Sequence, residues 1–314
     1  MFSGSMDILV IESPNGILKS SSFHVRFGSL KVIKSKEQII EIFVNSKKTP
    51  ITMQLSSSGD AYFIYDESSN NADSKKKKSF FPTSDQLKKL NLNQGHNEIC
   101  FISRSSISGI QTLKSSIYLW PSSSKIVISD VDGTITRSDV LGQVLPFLGR
   151  DWTHDGVTDL FTKIKKQGYK LIYLTARAIG QSSMTKKYLD TLIQEENILP
   201  PGPLFMSPDG LFTSLKREVI EKKPHLLKIP MLTEIKNLFP EGVEPFYAGF
   251  GNRETDAIAY RYLNIPLNYI FLIDTSSKVL RLGESKKGSY KDISEKIDEI
   301  FPAIDNSENN EINQ

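Results

Sequence analysis

The chain has 314 residues, 24% charged and 39% hydrophobic, with 19 glycines and 15 prolines. This is ordinary globular usage and excludes collagen-like, coiled-coil and wholly disordered chains. Lys plus Arg exceed Asp plus Glu by 38 to 29 up to residue 291 and fall short by 1 to 7 beyond it, so a basic body of +9 carries a tail of −6. The longest apolar runs, such as Tyr269 to Ile273, fall far short of the roughly 18 residues of a membrane-spanning helix. A basic body suits an anionic membrane, nucleic acid or simple solubility, and charge alone does not choose among them. A single cysteine, Cys100, makes no internal disulfide and points to a reducing compartment. The first residues lack a basic segment ahead of an apolar one and so do not read as a secretory signal. Met-Phe-Ser-Gly-Ser-Met at 1 to 6 reads as a fusion remnant.

Apolar and alternating runs at 7–12, 23–27, 39–44, 51–55, 61–65, 97–103 and 116–120 predict strands of an all-β domain over 1–120. About seven short strands suggest an immunoglobulin-like β-sandwich. The polar segment 66–84 is read as a mobile loop, and its Lys75 to Lys78 run as a solvated linker. From 125 strands alternate with helical patterns. Strands are expected at 125–129, 170–174, 204–206, 245–249 and 268–273, and helices at about 153–167, 182–195, 215–222, 231–239, 254–262 and 292–301. That alternation predicts a doubly wound parallel sheet over 121–301, followed by a disordered acidic tail over 302–314.

In such a sheet ligands collect beyond the carboxyl ends of the strands. Asp130-Val131-Asp132-Gly133-Thr134 follows the first strand and Thr175-Ala176-Arg177 the second, Lys228 precedes a helix, and Asn252 and Asp256 follow the strand at 245–249. Phosphoryl transfer through an aspartyl phosphate needs this set. Asp130 and Asp132 place one carboxylate against phosphorus as nucleophile and the other near the leaving oxygen as acid, and Gly133 permits the tight turn. Mg²⁺ is expected on Asp130, the main-chain carbonyl of Asp132 and Asp256, with Thr175 and Lys228 on the phosphoryl oxygens. A lone DxDGT is also an ordinary turn, but four such elements in order are not. No P-loop occurs, Gly249-Phe250-Gly251 lacks the third glycine of a dinucleotide fingerprint, and the four histidines show no metal-ligand spacing, so they read as packing or surface residues. Only 40 residues separate Thr134 from Thr175, which leaves no room for a cap domain and predicts a site open to bulky substrates.

DVDGT, LTAR and GNRETD resemble the motifs of the haloacid dehalogenase superfamily. The longer strings at 120–157, ARAIG, REVIEKKP and EIKNLFP are similar to the catalytic half of lipins, and residues 7–28 to the lipin amino-terminal domain. The resemblance implies a capless, Rossmann-like catalytic domain packed against the β-sandwich, and a Mg²⁺-dependent phosphatidate phosphatase that forms diacylglycerol. It carries the nucleophile onto Asp130, the general acid and base onto Asp132, phosphate binding onto Gly133, Thr134, Thr175, Ala176, Arg177 and a lysine, and metal binding onto Asp130, Asp132, Asp256 and Asn252. Lys228 is preferred over Lys222 and Lys223 for its place before a helix. The implied partner is a phosphatidate-containing membrane, not nucleic acid. The implied location is cytoplasmic, peripheral on endoplasmic reticulum or nuclear envelope. Three departures stand out: the long regulatory insert shrinks to 66–84, the amphipathic helix expected before Asp7 is missing, and the LxxIL motif is matched only approximately by Leu141 to Leu145. The rival readings are a capless protein phosphatase and a non-catalytic phosphatidate-binding module.

Overall fold

The computed structural model describes residues 3–28, 38–66, 76–105, 109–137, 152–207 and 225–304. The chain forms two compact units, residues 1–122 with 178–183 and 237–241, and residues 123–177, 184–236 and 242–314.

The first unit contains β1 (Gly4–Ser5), β2 (Ile8–Glu12), β3 (Leu18–Ser20), β4 (Val25–Arg26), β5 (Ile39–Val44), β6 (Lys47–Leu55), β7 (Ala61–Asp66), β8 (Lys76–Ser79), α1 (Ser84–Lys88), β9 (Gly95–Ser105) and β10 (Gly109–Pro121). Eight of these strands pair in one sheet, in the order β3-β2-β10-β9-β5-β6-β7-β8. Only β2 with β10 is parallel. The all-β reading therefore has its counterpart, but the strand pairing does not divide the eight into the two sheets of an immunoglobulin-type sandwich. Alternate residues such as Ile99 and Phe101 on β9, and Ile51, Met53 and Leu55 on β6, face one shared core that also takes Phe23, Phe27 and Phe63. Each large side chain so buried contributes roughly 1.5–3 kcal/mol.

Three sequence expectations change here. Gly4 and Ser5 pair with Arg26 and Val25 and Ser5 is buried, so these two residues are part of the fold. The span expected as a loop contains β8, whose Lys76 to Ser79 pair with β7, and Lys78 Nζ lies 4.4 Å from the Tyr62 ring centroid. This lysine-rich strand is the sheet edge, where lysine discourages pairing with another chain. The short β3 and α1 were missed because three and five residues give too little periodicity to read.

The second unit contains β11 (Ile126–Asp130), α2 (Val157–Lys166), β12 (Lys170–Ala178), α3 (Ser182–Asp190), β13 (Ile193–Gln194), β14 (Asn197–Ile198), β15 (Leu204–Ser207), α4 (His225–Lys236), β16 (Phe246–Gly251), α5 (Glu254–Tyr262), β17 (Ile270–Ile273), β18 (Val279–Arg281), β19 (Lys287–Gly288), α6 (Tyr290–Glu295) and α7 (Ile297–Ile300). Its sheet runs β15-β12-β11-β16-β17-β18-β19. β12, β11, β16 and β17 are mutually parallel, and β18 and β19 add an antiparallel edge. From β11 the chain winds outward through β12 to β15, then returns to the other side of β11 with β16. The strand order thus reverses at β11, the kind of position where an open α/β sheet leaves a crevice at its carboxyl edge. All five residues of β11 are buried, as a strand covered on both faces requires.

Phe161, Phe250, Phe271, Tyr290 and Phe301 form an aromatic cluster in this unit, with Phe250 and Phe271 stacked 4.6 Å apart. The expected helix at 292–301 is two short helices, α6 and α7, beginning at Tyr290. Ile304 still donates its amide to the Gln167 carbonyl, so the start of the supposed tail packs onto the unit. The helix expected at 215–222, Leu141 to Leu145, Lys222, Lys223 and the remainder of the tail lie outside the described residues.

Candidate active site

β11 ends at Asp130, and the backbone then turns through Gly133 with φ +83°, a left-handed conformation that glycine adopts without strain. The turn is closed by the Gly133 amide, which donates to Thr136 Oγ1 at 3.1 Å, while the Ile135 and Thr136 amides return to the Val131 carbonyl. Asp130 and Asp132, two apart, are therefore both buried at the carboxyl end of the central strand. Each meets a different partner.

Lys228, in the first turns of α4, donates from Nζ to Asp130 Oδ1 at 2.7 Å and to Asp256 Oδ1 at 2.5 Å. All three groups are nearly or fully buried. Asp256 lies in the first turn of α5, where its Oδ2 accepts from the amides of Asn252 and Arg253 at 3.0 and 3.1 Å. A carboxylate at a helix N-terminus is favoured there by the exposed amides and the helix dipole. Two glycines make room for this corner. A Cβ on Gly251 would lie 2.5 Å from Asp256 Cβ, and one on Gly249 2.5 Å from the Tyr260 ring. The Gly249-Phe250-Gly251 sequence is thus a packing requirement, which explains why it resembles half of a dinucleotide fingerprint without being one.

Asp132 is held by β12. Thr175 donates its hydroxyl to Asp132 Oδ2 at 2.7 Å, and Arg177 donates to Oδ1 from Nε at 3.1 Å and Nη2 at 2.6 Å. Arg177 also reaches Thr185 Oγ1 on α3 at 3.3 Å. Arg177, expected on the phosphate, is buried and pairs with Asp132. Thr175 likewise faces Asp132, and Ala176 between them is half-buried.

Three carboxylates, one ammonium and one guanidinium share this buried space, leaving one net negative charge. Burial pushes the Asp130 carboxyl up, and the carboxylates of Asp256 and Asp132 push the same way, against the pull of Lys228. Burial alone would lower Lys228, but the facing Asp130 and Asp256 carboxylates hold it above the usual lysine range. The residual charge, the hard oxygen donors and the buried Thr134 hydroxyl, which has no hydrogen-bond partner among the described residues, suit a divalent cation and a phosphoryl group. Among the described residues, no three His, Cys, Asp or Glu side chains form a metal cluster on their own.

Sequence reasoning did not single out His154 and Tyr290. Tyr290 donates its hydroxyl to the Thr134 carbonyl at 2.9 Å, and His154 Nε2 lies 3.3 Å from the Gly133 carbonyl. These contacts span 156 and 21 residues, and no local spacing signals them.

The chain matches the family models "LNS2 (Lipin/Ned1/Smp2)" over residues 78–302 and "lipin, N-terminal conserved region" over 1–82. It is 48% identical over 224 residues to phosphatidate phosphatase PAH1 of Arabidopsis thaliana, covering 70% of this chain and 25% of that protein. It is 44% identical over 232 residues to phosphatidate phosphatase LPIN1 of Homo sapiens, covering 74% and 26%. It is 44% identical over 235 residues to phosphatidic acid phosphohydrolase 1 of Saccharomyces cerevisiae, covering 71% and 27%. The aligned part thus spans about a quarter of the length of these curated relatives. β9 and β10 lie beyond the amino-terminal match, so the sheet of the first unit draws strands from both matched regions.

Proposed function

The chain belongs to the lipin family, and from that premise we propose that it is a Mg²⁺-dependent phosphatidate phosphatase releasing diacylglycerol and phosphate. The observation that carries this reading is the convergence of Asp130, Asp132, Thr175, Lys228 and Asp256 at the strand-order reversal. Asp130 attacks phosphorus through a carboxylate oxygen, and the bond from phosphorus to the glycerol oxygen breaks. Lys228 holds the Asp130 carboxylate in place and offsets charge on the phosphoryl oxygens. Asp132, which accepts at both oxygens as a carboxylate, first takes up a proton from solvent, gives it to the departing glycerol oxygen, and then takes one from the water that cleaves the aspartyl phosphate and releases inorganic phosphate. Both Asp132 oxygens are engaged in the structure, so this exchange requires the side chain to loosen from Thr175 and Arg177. Mg²⁺, held by Asp130, the Asp132 carbonyl and Asp256 with Asn252 in support, would neutralise charge between carboxylate and phosphate.

Among the described residues no helix is long and apolar enough to cross a membrane. We place the reaction at the surface of phosphatidate-containing membranes of the endoplasmic reticulum or nuclear envelope, with the uncapped site facing the headgroups. Trp152 is 38% exposed, which supports an interfacial role for its indole at the headgroup level. The test is phosphate release from phosphatidate in mixed micelles, with and without Mg²⁺, beside a phosphopeptide. The reading expects Mg²⁺-dependent release from the lipid alone. Release from the peptide alone would replace it with a protein phosphatase.

A further inference from the structure

The loop carrying both aspartates is gripped from behind by side chains that the proposed chemistry leaves unused. His154 is fully buried, with Nε2 3.3 Å from the Gly133 carbonyl and Nδ1 2.8 Å from Ser277 Oγ. A carbonyl oxygen only accepts, so the Gly133 contact requires the proton on Nε2. The neutral ring then accepts at Nδ1, and the Ser277 hydroxyl donates. Burial lowers the affinity of this ring for a second proton and keeps it neutral.

Ser277 is itself held in an unusual conformation. It lies in the turn between β17 and β18 at φ +64°, in the left-handed region that glycine favours. Asp274 builds that turn. Its Oδ1 accepts from the amides of Ser276 and Lys278, each at 3.0 Å, its Oδ2 accepts from Lys287 Nζ at 2.8 Å, and its carbonyl accepts the Ser277 amide. From this turn the Ser277 hydroxyl meets His154 Nδ1 at 2.8 Å. One peptide further along the loop, Tyr290 fixes the Thr134 carbonyl.

We infer that His154 is a positioning residue, oriented by Ser277, which clamps the Gly133 carbonyl and thereby fixes the directions of Asp130 and Asp132. It touches no reacting atom. The inference rests on the phosphatase reading for its kinetic readout and on geometry for the tautomer.

Ser277→Gly separates positioning from folding. Glycine suits φ +64°, so a purely structural Ser277 predicts unchanged or raised stability and unchanged turnover. The clamp predicts that Ser277→Gly keeps its melting temperature and KM while kcat falls about five- to tenfold, the scale of one lost orienting hydrogen bond. His154→Leu should lower kcat roughly 100-fold at similar KM. His154→Gln, which keeps a donor, should retain more. ¹⁵N shifts of the His154 ring in the wild-type chain with Mg²⁺ should place the proton on Nε2.

A proton on Nδ1, an unchanged kcat in Ser277→Gly, or His154→Gln as inactive as His154→Leu would each overturn the clamp. A wild-type chain with the Nε2 proton that releases no phosphate from phosphatidate micelles would instead remove the phosphatase reading and leave the clamp supported.

Discussion

Replacing Lys228 by methionine removes one positive charge from between two buried carboxylates while keeping much of the side-chain volume. In the wild-type chain its ammonium lies 2.7 Å from Asp130 and 2.5 Å from Asp256, and both acids are at least 95% buried. Breaking a buried pair by deleting one partner costs about 3–5 kcal/mol, because the remaining charges lose compensation. Here two carboxylates are left facing each other, so the upper end of that range is expected. For a unit of this size about 2–4 °C of melting temperature corresponds to each kcal/mol, giving a drop of roughly 10–20 °C. The same deletion leaves a site of more negative charge, so Mg²⁺ should raise the melting temperature of Lys228→Met more than that of the wild-type chain. Thermal unfolding with and without Mg²⁺, read beside phosphate release, checks both effects. Turnover should fall to background. A Lys228→Met chain that melts within about 2 °C of wild type and still turns over would refute the assignment of this lysine, as would a variant less stabilised by Mg²⁺ than the wild-type chain.

Asp130→Asn should abolish phosphate release without lowering the melting temperature, since it removes an acid that burial and neighbouring carboxylates already disfavour as an anion; wild-type rates would remove the nucleophile. Arg177→Leu should cost about 3–5 kcal/mol and most of kcat by leaving Asp132 with Thr175 alone, and urea unfolding with micelle kinetics reads both. Gly251→Ala should displace Asp256 and weaken Mg²⁺ dependence, because its Cβ would fall 2.5 Å from that of Asp256; an unchanged Mg²⁺ titration would contradict this. His24 is lowered from 6.5 to about 4 by burial, with Asp60 opposing. The unfolded chain therefore binds a proton first as pH falls, and the first unit should lose stability between about pH 6.5 and 4, by up to about 3 kcal/mol. His24→Gln should flatten that part of the urea-midpoint profile.

The second unit was the more legible in sequence. Apolar runs such as Ile126 to Ile128 and Leu171 to Leu174 announce a sheet covered on both faces, and the polar residues directly after them form the candidate site. Helix α5 reads at 254–262 because Glu254 and Asp256 stand in its first turn. The first unit was harder. Alternation marks its strands but not whether they pair in one sheet or two, because pairing depends on partners up to about a hundred residues apart, as with Ile8 and Ile117. The pairing of Arg177 was hidden for a related reason. An arginine two residues after Thr175 reads as a phosphate ligand, and its bond to Asp132 is visible only in the fold. His154 gives no signal at all, since its two partners come from Gly133 and a turn at Ser277.

The most direct measurement uses the phosphorothioate analogue of phosphatidate, made chiral at phosphorus by sulfur, ¹⁶O and ¹⁸O and turned over in mixed micelles with Mg²⁺ in H₂¹⁷O. Two successive in-line displacements, first by Asp130 and then by water, predict inorganic thiophosphate released with retention at phosphorus, and none from Asp130→Asn. Inversion would mean that water attacks phosphatidate directly, and would contradict the covalent role assigned to Asp130.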